Sequence, residues 1–189
     1  MLLKKHISKM FILSLFSIAI PLLLIFISAY LSGWFNLFNN ALSDLGHSTK
    51  SNVAAIFNFG LSLGGFLMSL IGVKYFSKYS RLIGYLVALT GYSLILISVF
   101  NEVYGSLHFA VSTLFFVLLL FTMLIYAIKI RDVKMIALLI ILIAIDTLLW
   151  YTHFAYRMPK GAAIPELLSI FTAAPFYLHL SWRISSTDT

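Results

Sequence analysis

Cysteine is absent from this chain, which excludes a disulfide framework and a thiolate metal site and leaves imidazole, carboxylate or water as metal ligands. Charge is scarce as well, with 10% of residues Asp, Glu, Lys or Arg. Set against 61% hydrophobic residues and a mean hydropathy of +1.02, this scarcity leaves little room for a soluble fold. No connection between the apolar runs is long enough to fold as a separate domain, and no internal repeat points to an inverted-repeat transporter. The nucleophile elbow of soluble serine hydrolases is missing, and so is any His-x-x-x-His or His-Glu-x-x-His zinc pair.

What the chain does contain is six long apolar runs, at about residues 10–35, 53–76, 82–100, 107–128, 134–152 and 164–182. Each can cross a hydrocarbon core of roughly 30 Å at 1.5 Å per residue. The runs lack the alternation of barrel strands, so they are expected to be helices that satisfy their own backbone groups. The fold class is therefore an all-α polytopic membrane protein, with residues 1–189 forming a single six-helix transmembrane domain. The tight connections at 77–80 and 131–133 predict antiparallel packing of consecutive helices. Gly60, Gly64, Gly65, Gly84 and Gly91 mark close helix contacts, and Pro21 and Pro175 are potential kinks in the first and last spans. Lys4 and Lys5 precede the first run as in a signal peptide, but the run is too long and lacks a small-residue cleavage site, so it reads as a permanent helix.

The distribution of Lys and Arg orients the spans. With the N-terminus inside, Lys4, Lys5, Lys9, Lys74, Lys78, Arg81, Lys129, Arg131, Lys134 and Arg183 are cytoplasmic, ten residues against Lys50, Arg157 and Lys160 outside. Trp34 and Trp150 near outer ends and Trp182 at an inner end agree. The expected location is the cell membrane, with multiple passes and both termini cytoplasmic. The net charge of +7 is spread over short inner segments beside the spans, which suits anionic lipid and argues against nucleic acid as a partner. The sequence identifies no protein partner.

With this topology the polar residues hardest to explain gather at the outer end. Asp146 interrupts an apolar span, where a carboxylate costs about 2.5–3.5 kcal/mol on insertion scales, so it should face the bundle interior and have a partner. Trp150 and His153 follow on the same helical face. His153 would stand roughly 10 Å above Asp146, in a second layer of one polar cavity. The simpler alternative is a hydrogen bond from Asp146 to a Ser, Thr or Asn of a neighbouring helix. Asn58 and Glu166 could complete the cavity, although Glu166 directly after Pro165 also suits a helix first turn. Asn40, Ser43, Asp44 and His47 would share one side of a short helical turn, or else serve capping and turn chemistry, with Gly46 at positive φ.

Two chemistries fit these residues. His47, His108 and His153 come from three outer connections and, with Asp44, could hold a divalent metal such as zinc that activates water. Without metal, His153 or His108 could serve as base, and Ser43 as a nucleophile held by Asp44. Glu102 and Asp146 complete the candidate reaction centre, and Asn40, Asn58, Trp150, Tyr156, Arg157 and Glu166 are candidate substrate contacts. His6 and His179 belong to the inner side.

The segment Asn40-Ala41-Leu42-Ser43-Asp44-Leu45-Gly46 outside the first span resembles the hallmark of the six-span domain-of-unknown-function family numbered 998, whose members also tend to open the fourth span with His, here His108. Ser43, Asp44, Gly46 and Glu166 are similar to an element of the DRAM/Frag/Sfk group of membrane proteins, and that resemblance implies lipid as a ligand class. The Ser, Asp and three His also resemble the inventory of alkaline ceramidases, from which this chain departs in span number and in lacking a paired His in the last span. Two function classes follow as expectations. One is a membrane-embedded hydrolase or transferase acting on lipid or a lipid-linked group at the extracytoplasmic face. The other is a non-catalytic lipid-binding, ligand-binding or complex-stabilising protein.

Overall fold

A computed structural model of the chain describes residues 8–187; Lys4, Lys5 and His6 lie outside the described residues. Six long helices carry it: α1 (Lys9–Ser32), α2 (Ala54–Tyr79), α3 (Arg81–Val99), α4 (Ser106–Ile130), α5 (Val133–Tyr156) and α6 (Ala163–Thr187). All six are long and apolar enough to span a membrane, so the chain is a multi-pass membrane protein. No strand occurs among the described residues. Consecutive helices pack as neighbours, most extensively α2 with α3, and α6 returns to α1 and α4.

Local chemistry sets the helix ends. Ser8 caps α1 by accepting from the Phe11 N–H, and Gly33 ends it with φ 74°. Asp132 opens α5 by accepting from the Lys134 and Met135 N–H groups. Helices α1 and α6 run through Pro21 and Pro175 without interruption. Near its lower end α2 passes through a π-helical turn, Gly72–Phe76.

The bundle has an apolar core with buried serines and threonines set into it, and an apolar exterior that suits lipid. Ser14, Ser17, Ser28 and Ser32 lie on the buried face of α1, while Leu15, Phe16, Leu23 and Phe26 are exposed. Ser17 meets the Tyr177 hydroxyl at 3.0 Å and Ser14 accepts from Ser181 at 2.8 Å, which links α1 to α6. The glycines do what their spacing predicts: a Cβ on Gly65 would lie 2.5 Å from the Gly91 carbonyl oxygen, and one on Gly64 would meet the Pro21 ring. Helix α5 is peripheral, with Leu139 its one buried residue. This loose edge, between α4, α5 and α6, is where the structure hollows out.

Candidate functional site

The connections 33–53, 100–105 and 157–162 share one end of the bundle, here the upper end, and the first ties the other two together. Its 3-10 turn, Leu42–Gly46, sinks Leu42 and Leu45 into the core with Val53, Phe57 and Ile97. The Phe38 and Asn40 carbonyls accept from the Gly161 and Ala163 N–H groups at 2.9 and 3.0 Å. Only glycine fits at 161, because a Cβ would run into the Asn40 backbone. Asn101 Oδ1 accepts from the Ser48 N–H at 3.4 Å and caps the short turn Glu102–Tyr104.

This stitching positions the ionisable groups. Glu166, in the first turn of α6, accepts at Oε2 from the Leu42 N–H at 2.6 Å. It therefore acts both as a tie to the first connection and as a lining group of the cavity below. Gly105, at φ 51°, turns the chain sharply between Glu102 and α4. His108 Nε2 then lies 2.9 Å from the Glu102 carboxylate and Nδ1 lies 2.8 Å from the Phe100 carbonyl. A carbonyl can only accept, so Nδ1 carries a proton and Nε2 shares a second with Glu102. The hydrogen bond from His108 holds the Glu102 carboxyl below its ordinary value; partial burial opposes this, and His47 and Ser43 assist.

Asp146 faces inward and has a partner. The Ser169 hydroxyl lies 2.9 Å from each of its carboxylate oxygens and accepts from Trp150 Nε1–H at 3.0 Å, which joins α5 to α6. About two turns above Asp146, His153 Nδ1 sits 2.8 Å from the Pro159 carbonyl, so that nitrogen donates and Nε2 is the ring's other, acceptor-capable position.

These groups line a single cavity of about 470 Å³ between α4, α5 and α6. Ser43, Glu102, His108, Asp146, His153 and Glu166 form its polar part, and Phe116, Leu119, Leu120, Met123 and Ile143 its apolar part. Phe109, Val117 and Phe154 also line it and are exposed on the outside of the bundle, so the cavity borders the lipid side of α4 and α5.

Other candidates from the sequence lie elsewhere. Asp44 accepts from the Ala41 N–H at 2.9 Å and from Asn40 Nδ2 at 3.1 Å, so it is a turn residue and does not hold Ser43 as a nucleophile. Asn40 also accepts from the Asn36 N–H, and Asn58 donates to the Gly46 carbonyl at 2.9 Å. Neither lines the cavity. Tyr156 and Arg157 are exposed at the end of α5, where Arg157 forms the left-handed cap at φ 56°. Gly46 does not take positive φ; its lack of a side chain instead lets Asn58 and Phe57 approach.

Among the described residues no three His, Asp or Glu side chains are arranged to hold a metal ion. His47 pairs with Thr49 at 3.3 Å, while His108 and Asp44 are engaged as above. His179 lies apart from the cavity and meets the Tyr126 hydroxyl at 2.8 Å.

Reading the sequence missed Ser112, Ser169, Thr172 and Gly161. Ser112 follows His108 by one turn and approaches its Nε2 at 3.4 Å. Ser169 and Thr172 continue the Glu166 face at three-residue steps, so helical spacing carried a signal for all three. Gly161 had none, because its need arises from a strand of chain more than a hundred residues away.

No curated protein and no solved structure matches the chain. A family model described as a protein of unknown function, DUF998, matches residues 16–183, from the first helix to the last, and the chain belongs to that family.

Proposed function

We propose that this protein is a multi-pass cell-membrane protein with both ends cytoplasmic, and that its cavity receives a lipid or lipid-linked amphipath from the extracytoplasmic leaflet and performs acid/base chemistry on its head. The orientation rests on the ten Lys and Arg residues assigned inside against three outside. The observation that carries the reading is one cavity of about 470 Å³ that joins ionisable groups to an apolar floor. Along α4 the lining runs from His108 to Met123, about 22 Å at 1.5 Å per residue.

In this reading the head sits against His108, Glu102 and Asp146 while the chain lies along Phe116, Leu120 and Met123. The Glu102–His108 pair supplies or accepts the proton, since the two groups share one across 2.9 Å. A second reading, a non-catalytic lipid binder, is favoured by one observation: both His108 ring nitrogens already have protein partners.

The test begins with native mass spectrometry of the protein released from nanodiscs. Wild type should retain a co-purified amphipath, and Leu120→Trp, which fills the slot, should not. Equal occupancy in the two, or none in either, would refute the assignment. Lipid turnover followed by wild type and His108→Gln then separates enzyme from binder. Loss of product formation in the variant supports the acid/base role, and retention of the ligand with no turnover in either protein supports the binder.

A further inference from the structure

The cavity's charge balance is lopsided in a way that its shape does not require. Three carboxylates line it, Glu102, Asp146 and Glu166, with the imidazoles of His108 and His153, and among the described residues no Lys or Arg does. Glu102 is matched by His108, the one ion pair among the described residues. The hydrogen-bond partners of Asp146 and Glu166 are neutral, the Ser169 hydroxyl at 2.9 Å and the Leu42 N–H at 2.6 Å, although His108 also attracts Glu166 electrostatically. Glu166 is half-buried and its bonded oxygen is Oε2, which leaves Oε1 for whatever enters the cavity it lines. Arg157 and Lys160, the basic residues of the nearby connection, are exposed and do not line the cavity.

Two carboxylates without a hydrogen-bonded cation inside a membrane bundle are costly, and a ligand's positive charge would offset that cost. An anionic head would instead meet like charge with no guanidinium or ammonium to hold it. Trp150 packs against both Phe116 and Phe154 along the same wall, with centroid distances of 5.6 and 5.5 Å. Aromatic walls beside carboxylates suit an ammonium group, which gains from ring faces as well as from charge. From this balance we infer that the amphipath taken by the cavity carries a positively charged head, an amine or quaternary ammonium, and that phosphate and other anionic heads are excluded. This inference rests on the proposed amphipath site and names its ligand class.

The test uses the full chain in nanodiscs of an uncharged galactolipid, which has no ammonium head of its own, with three probes of equal chain length: dodecylamine, dodecanol and dodecyl phosphate. Binding is read from the saturable change in tryptophan emission, since Trp150 lines the cavity. Dodecylamine should bind about tenfold or more tightly than the other two, a typical margin for a matched charge in a partly desolvated site. Asp146→Asn and Glu166→Gln, which keep shape, should each narrow the gap between dodecylamine and the other two probes. Thr147→Lys places a cation at the cavity edge and should reverse the order of amine and phosphate. Equal affinity for the three probes, or tighter binding of dodecyl phosphate by wild type, would overturn the inference while leaving the amphipath site standing. Binding of no probe at all would overturn both.

Discussion

Ser169→Ala is the most direct test of how the cavity is built. The Ser169 hydroxyl is the hydrogen-bond partner of Asp146 and the acceptor for the Trp150 indole N–H, at 2.9 and 3.0 Å. Alanine fills nearly the same volume, so the substitution removes the bonds and little packing. Leaving a buried polar group unpaired costs about 1–3 kcal/mol, and interhelical hydrogen bonds in membranes average about 0.6 kcal/mol with a maximum near 1.7. Asp146 and Trp150 are only partly buried and face the cavity, which favours the lower values for each. Together the two losses should destabilise the fold by about 1–3 kcal/mol. The contact matters because α5 buries only Leu139 and has few other anchors. Reversible unfolding by sodium dodecyl sulfate in mixed micelles, followed by circular dichroism, would measure it for wild type, Ser169→Ala, Asp146→Ala and the double variant. A coupling of about 1 kcal/mol between the two positions is expected. Additivity within roughly 0.3 kcal/mol would refute the argument that this contact holds α5 to α6.

Further outcomes follow from the same geometry. Gly161→Ala drives a Cβ into the Asn40 backbone and should cost about 1–3 kcal/mol in the same unfolding assay, whereas Ser106→Ala, at an exposed position, should stay within about 0.5 kcal/mol. Gly65→Ala should be similarly damaging because the added atom meets the Gly91 carbonyl; a stability equal to wild type would mean that α2 and α3 separate freely. The Glu102 carboxyl, held below 4.5 by His108, stabilises the fold above that ordinary value, and the contribution is lost as pH falls through the lowered folded value. His108→Gln should therefore flatten the acid limb of a stability–pH curve, and an unchanged limb would show that the pair is not formed.

Hydropathy and span length made the helices legible in the sequence, because each apolar residue prefers lipid regardless of its neighbours. The expected spans at 10–35 and 134–152 correspond to helices Lys9–Ser32 and Val133–Tyr156, with differences of a few residues at the ends, where caps decide. Of the site, Ser43, Glu102, His108, Asp146, Trp150, His153 and Glu166 were recognised as unusual for their places and do share the cavity. Asp44, His47, Asn40 and Asn58 were equally unusual and do not. A polar residue near a span can answer to a ligand cavity or to the backbone of a neighbouring turn, and both uses leave the same trace in one dimension.

By itself, then, the sequence determined the solvent this chain folds in, the number of crossings and the end at which polar groups collect, since these depend on sums over local residue energies. Only the tertiary structure decided which of those groups meet. Asp146 and Asn58 are both polar interruptions of apolar spans, yet the rotation of α5 against α6 turns Asp146 to Ser169 and the cavity, while the descent of the Leu42–Gly46 turn gives Asn58 the Gly46 carbonyl. Helix rotation and loop descent are set by packing among residues far apart in the chain, and no local pattern encodes them.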